Sequence, residues 1–302
     1  MFNVINFDNW FEDEESGKFG SGASEKIWII NPDNGEKGLF KYPKIRVNGT
    51  ITGEYYAEKI ASEIGSLLDI PCANVDIGTY KGRLGSISYN LIGENEFLYE
   101  GINFIQEKYP NYNKDKFIDE VTNDKYNVQM FEKININIKD ILNMIIFDAL
   151  IGNSDRHHSN WGYIYHFDNE RGLYLRFCPL YDNGSSLCAY VNDEDIDSIL
   201  KDKSRYVALI DSKSKSCIGW DSKRPIRHFE LIKELRDNYF DDTIDFVNKI
   251  KDRITEESIL NILNKFSNEI ISDDKKKLLL NFILDRKNKI LEMYDIINEV
   301  SN

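Results

Sequence analysis

The stretch from Ile138 to Gly184 constrains the fold more than any other part of this 302-residue chain. Ile138, Ile141, Leu142, Ile145, Ile146, Ala149 and Leu150 recur at three- and four-residue steps, the spacing of a helix that buries one face. The stripe stops at a polar loop, Gly152-Asn-Ser-Asp-Arg-His-His-Ser-Asn160. Trp161 to Phe167 and Leu173 to Phe177 then read as two strands around a turn at Asp168-Asn-Glu-Arg-Gly172, and Pro179-Leu-Tyr-Asp-Asn-Gly184 ends that hairpin. Asp155 and Asn160 therefore precede the hairpin and Asp182 follows it.

The front of the chain has a different texture. Lys26 to Ile30 and Gly38 to Tyr42 are strand-like runs around Pro32-Asp-Asn-Gly35, a hairpin signal. A helix is expected from Gly53 to Leu68, with Ala57, Ile60, Ala61, Ile64 and Leu68 on one face and Pro71 beyond its end. Val75 to Tyr80 and Leu84 to Leu91 read as strands around Lys81-Gly82-Arg83. Residues 93–134 are weakly patterned and suggest a connecting segment with a helical insert. Beyond Pro225 the pattern is helical almost to the end, with a long closing helix through Leu278–Ile297. A β-rich front and a helical back meeting near residue 95 predict an α+β, bilobal arrangement, with lobes 1–95 and 96–302 and a cleft between them.

Four pieces in chain order carry chemistry. Gly17-Lys-Phe-Gly-Ser-Gly-Ala-Ser-Glu-Lys26 is a Gly/Ser loop leading into a strand, and its glycines let backbone N–H groups approach phosphate oxygens. Lys41 stands in a strand and Glu54 opens the next helix, so the pair could form an ion pair facing nucleotide phosphates. Asp155 with Asn160 is the third piece and Asp182 the fourth. Phosphoryl transfer in protein kinases uses this set: one Asp to take or orient the acceptor hydroxyl proton, and an Asn and a second Asp to hold Mg²⁺. Taken singly, each piece also has a plain reading as a turn or a solvent-facing lysine. Their joint occurrence in order, each on its proper element, favours the catalytic reading.

The motifs also carry a family resemblance. The Gly152–Asn160 loop, Pro179-Leu-Tyr-Asp182, Gly22-Ala-Ser-Glu-Lys26, Phe40-Lys-Tyr-Pro43 and Glu54-Tyr-Tyr56 resemble the signature of HipA-like serine/threonine kinases. In the compactness of its front and in Asn160-Trp-Gly162 the chain is similar to the compact CtkA-type form. The resemblance spans residue 17 to the C-terminus and implies a bilobal protein-kinase-like (HipA-like) fold, ATP, Mg²⁺, protein Ser/Thr acceptors and autophosphorylation. It implies ATP contacts from Gly20, Ser21, Gly22, Ala23, Lys41 and Glu54, a catalytic Asp155, and metal ligands Asn160 and Asp182. A toxin or secreted effector is the setting it suggests, with an antitoxin-type regulatory partner in the toxin case. Two departures stand out. Arg156 and His157 follow Asp155, where eukaryotic kinases place His and Arg before it, so control by an activation-loop phosphate need not apply. HipA-type toxins can autophosphorylate a phosphate-loop serine; Phe19 occupies that place here, leaving Ser21 and Ser24 as candidates.

Charge and composition limit the alternatives. With 38 Lys+Arg against 51 Asp+Glu the net charge is −13, a poor footprint for general nucleic-acid or anionic-membrane binding. Cys72, Cys178, Cys188 and Cys217 have no zinc-type spacing and read as reduced thiols of a cytoplasmic protein. The acidic N-terminus is no Sec signal, and the apolar Ile141–Ile151 stretch is too short to span a membrane. The sequence gives no vote on export without a cleaved signal. Other readings are a lipid or small-molecule kinase, an ATP-binding pseudokinase, and a metal phosphohydrolase built on His157 and His158; the last leaves Lys41 and Asp182 without roles.

Overall fold

The structure is a computed structural model that describes residues 1–14, 25–168 and 172–296. The expected phosphate-loop positions Gly20, Ser21, Gly22, Ala23 and Ser24 lie outside the described residues. In the front lobe, β1 (Ile5–Asn6), β2 (Phe11–Glu12), β3 (Lys26–Ile30) and β4 (Lys37–Lys41) precede α1 (Glu54–Leu68), with β5 (Val75–Tyr80) and β6 (Arg83–Tyr89) after it. They form one six-stranded sheet in the order β1-β5-β6-β4-β3-β2. All pairings are antiparallel except β1 with β5. A small aromatic core of Phe7, Trp10, Ile29, Phe40, Tyr42, Tyr80 and Ile87 fills one side of the sheet. At Gly85 a Cβ would lie 2.4 Å from the Lys41 carbonyl oxygen, so glycine is what lets β6 approach β4 beside that lysine.

The back lobe runs through β7 (Glu96–Glu100), α2 (Gly101–Lys108), β8 (Tyr112–Asn113), β9 (Ile118–Asp119), α3 (Val128–Glu132) and α4 (Ile138–Ile151). β10 (Gly162–Asp168) and β11 (Gly172–Phe177) follow, then α5 (Asp193–Lys201), α6 (Lys203–Val207), α7 (His228–Arg253), α8 (Glu256–Leu263) and α9 (Asp273–Met293). The segment read as a connection and helical insert thus also holds three strands, β7 and the short pair β8–β9. β7 joins β10 and β11 in a three-stranded sheet, and its five residues were too short and too charged at both ends to register as a strand. The closing helix begins and ends a few residues earlier than its apolar run suggests; its start is set by Ser272, which caps it through the Lys275 N–H.

α1 belongs to both lobes in packing terms. Ala57, Ile60, Ala61, Ile64 and Leu68 join the same core as α4, α7 and α9. That shared core fixes the front sheet relative to the back helices, and backbone bonds between residues 71–73 and Leu180 add to it. No described helix is long and apolar enough to cross a membrane.

Candidate active site

α4 positions the first polar loop. Its C-cap Gly152 adopts φ 70, the left-handed turn that a side chain disfavours, and the chain reverses there into Asn153–Asn160. Asn153 donates to Asp148 Oδ1 at 3.0 Å and accepts from the Asp155 N–H at 3.1 Å. Asn160 Nδ2 donates to the Asp155 carbonyl at 2.8 Å, which leaves its amide oxygen as the end available to a cation. Asp155 itself is exposed to the cleft. Partial desolvation of its carboxyl within the cleft still pushes its pKa up, partly countered by His157.

The hairpin β10–β11 returns the chain so that Asp182 lies beside this loop. Asp182 has φ 57, a conformation Asp tolerates better than most residues. Its Oδ1 accepts from Lys41 Nζ at 3.0 Å, and the lysine's charge holds the carboxyl down at about 2. Lys41 also donates to Glu58 Oε1 at 2.9 Å. Burial alone would lower the pKa of Lys41, but the two carboxylates outweigh it and raise it. The lysine stays charged.

The expected Lys41–Glu54 pair does not form: the partner is Glu58, one helical turn further on. Glu58 is 4% exposed, and its second oxygen accepts from the Asn183 N–H at 2.9 Å, so it ties α1 to the Asp182 turn. The sequence held a signal for it, an acid set among the apolar positions Ala57, Ile60 and Ala61. Glu54 has another task. It accepts from the Lys44 N–H at 3.0 Å and from the Tyr190 hydroxyl at 2.8 Å, fastening the start of α1 to the segment after Asp182. Gly53 N–H to the Ala189 carbonyl, at 2.8 Å, continues that seam.

Lys26 was also missed as a site residue. In register it faces Lys41 across β3 and β4, so both side chains enter the cleft from one face of the sheet. Desolvation lowers its pKa, while Asp182 and Glu100 act the other way.

Two cavities meet at Lys26, Lys41 and Asp182. The larger, about 340 Å³, is walled by Trp28, Leu39, Leu91, Ile92 and Leu98, with Asn160 and Asp182 at its polar end. It suits a flat heteroaromatic ring with a polyanionic tail. The smaller, about 170 Å³, is polar and carries Asp155, His157, Lys44 and Ser185. Asp155 and Asn160 thus open onto different sides of one junction.

The two histidines do not make a metal centre of their own. His158 is buried against Tyr112, Phe117 and Tyr126, and its pKa falls to about 4, chiefly through desolvation. His157 Nδ1 accepts from the Ser159 N–H at 3.2 Å, within the loop. For a divalent cation the fitting donors are the Asp182 carboxylate and the Asn160 amide oxygen. This is a hard-oxygen pair of the kind Mg²⁺ shares with phosphates and water.

No protein-family model matches the chain. Among curated proteins, the serine/threonine-protein kinase CtkA of Helicobacter pylori is 23% identical over 286 residues, 91% of this chain and 83% of its own length. The crystal structure of the proinflammatory kinase CtkA of Helicobacter pylori superposes with a TM-score of 0.80 at 20% identity, covering 97% of this chain and 96% of that one. HipA, solved in the toxin–antitoxin complex with HipB and operator DNA from Shewanella oneidensis MR-1, gives 0.55 at 14% identity over 92% of this chain and 67% of that one. The chain is a homologue of the CtkA serine/threonine-protein kinase, built on the HipA-like kinase fold that its motifs and its geometry both indicate.

Proposed function

We propose that this protein is a HipA-type, ATP-dependent kinase that transfers the γ-phosphoryl group to Ser or Thr hydroxyls of protein substrates, itself included. The observation that carries this reading is the Lys41 ammonium, bonded at once to Glu58 and Asp182 where the apolar and polar cavities meet. ATP would place its adenine among Trp28, Leu39, Ile92 and Leu98 and its phosphates toward Lys41 and Lys26. Gly20, Ser21, Gly22 and Ala23 would add N–H groups to the phosphates. Asn160 and Asp182 would hold Mg²⁺, which neutralises charge on the phosphates when bound. Asp155 accepts the proton of the attacking hydroxyl in the smaller cavity. An assembled Lys41–Glu58–Asp182 set favours catalysis over a pseudokinase, and the curated relative's name favours a protein over a lipid acceptor.

Division into lobes 1–95 and 96–302, a cytoplasmic location and autophosphorylation at Ser21 or Ser24 belong to the same reading. So do a toxin or secreted-effector role and, in the toxin case, an antitoxin-type partner such as HipA has in HipB. The test is incubation with labelled ATP and Mg²⁺ and mapping of phosphosites. Absence of transfer both to the protein and to generic Ser/Thr substrates would sink the reading.

Three substitutions test the lysine and its hold on Glu58. Lys41→Met is expected to raise the ATP concentration needed for half-maximal transfer and to cut the maximal rate, read by steady-state kinetics. Glu58→Gln should cost about 10-fold or more in rate, because the lysine and the Asn183 N–H both lose an ionic acceptor. Glu54→Gln, which leaves Lys41 paired, should cost much less. Equal effects of the two glutamate variants would show that Glu58 has no special hold on Lys41.

A further inference from the structure

We propose that Arg156 is a positioning residue that sets the separation of the two cation-binding side chains, Asn160 and Asp182, and thereby the protein's affinity for the divalent ion. The inference rests on the Mg²⁺–nucleotide reading above and adds a residue that touches neither ligand nor metal.

Arg156 is 1% exposed, and each of its five N–H donors has an acceptor. Nε and Nη2 form a fork on Asp148, at 2.9 and 2.8 Å. Nη2 also donates to Asn183 Oδ1 at 2.6 Å. Nη1 donates to two backbone carbonyls, Asn160 and Tyr181, both at 2.7 Å. These acceptors lie in three separate segments. Asp148 is in the last turn of α4, whose apolar stripe fixes it in the core. The Asn160 carbonyl belongs to one cation-binding residue. Tyr181 and Asn183 are the residues on either side of the other. A single nitrogen therefore spans the backbones that carry Asn160 and Asp182, and the planar guanidinium references both to the helix.

Charge adds to geometry. Burial alone would lower the guanidinium pKa, but Asp148 outweighs it and raises it, so the group remains a cation among carbonyls. With all five donors engaged, Arg156 has none left for a phosphate on the segment after Asp182. This accounts for an arginine placed after the catalytic aspartate instead of before it: its fork points inward, to the frame of the site. The other described cross-links between the two segments, Tyr181 hydroxyl to the Ser159 carbonyl at 3.0 Å and Ser154 N–H to the Ser185 carbonyl at 3.3 Å, contain no group of Asp148 and cannot replace that reference. Lysine has three donors on a point charge and cannot reproduce five bonds in a plane.

The experiment measures binding without turnover. Mn²⁺ is titrated into the full chain saturated with ADP and followed by electron paramagnetic resonance, in the parent and in Arg156→Lys, with thermal melting as the fold control. Supporting residues behind a metal site typically govern about 10–100-fold in affinity, so the Mn²⁺ dissociation constant should rise about 10-fold or more in Arg156→Lys. ADP affinity measured without metal should stay near that of the parent. An unchanged Mn²⁺ constant in a folded Arg156→Lys protein overturns the proposal. So does a loss of ADP affinity equal to the loss of metal affinity, since that marks a general loosening of the cleft. Should Arg156→Lys not fold, Asn183→Ala removes one acceptor and leaves the Asp148 fork; a smaller rise in the same direction supports the proposal and no rise overturns it. A parent protein that binds no Mn²⁺ with ADP contradicts the Mg²⁺–nucleotide reading itself, which is a separate result.

Discussion

Asp155→Asn is expected to abolish phosphoryl transfer and to leave nucleotide affinity nearly unchanged. The substitution keeps the shape of the side chain and removes its charge and basicity. Asp155 opens onto the polar cavity with Lys44, His157 and Ser185, away from the apolar walls of the larger one. Its backbone, not its carboxylate, holds Asn160. The loop therefore keeps its form, and the loss falls on the step in which the acceptor hydroxyl gives up its proton. Positioned acid–base groups contribute about 10²–10⁴-fold, and a loss of that order is expected here. Calorimetry with ATP analogues and mass spectrometry of the phosphorylated protein measure the two halves. Binding and transfer lost together would make Asp155 a structural or metal-binding group.

Asp182→Asn should lower transfer by about 10²–10³-fold with the fold intact. The carboxylate is one of two anions on Lys41 and, in the proposed reading, would be the charged group that holds the cation. Without it the lysine leans on Glu58 alone, and the cation keeps only neutral protein donors. Asn is the informative substitution because the position has φ 57, which asparagine accepts and alanine does not. A raised Mg²⁺ requirement should accompany the loss, with thermal melting close to the parent's. Near-parental transfer at low Mg²⁺ would remove Asp182 from the metal site.

Much of this site was legible in the sequence because its parts are local. The α4 stripe, the five-residue interval from Asp155 to Asn160 and the hairpin before Asp182 are short-range patterns. Helix period, turn chemistry and strand alternation specify such patterns within a few residues. The same holds for α1 and for the strand that carries Lys41. What the tertiary structure decided is which side chain meets which. Glu54 and Glu58 sit one turn apart on α1, and both can point toward a lysine. The choice came from how the shared core rotates the helix, which sends Glu58 to Lys41 and the Asn183 N–H, and Glu54 to Tyr190. Lys26 was legible as a residue but not as a second cation of the cleft, since that depends on the β3–β4 register. Arg156 shows the limit most clearly. Its position beside Asp155 was plain in the sequence. Its role was not, because its acceptors lie on segments 8 residues before it and up to 27 after it, and only the packed fold brings five of them within reach of one guanidinium.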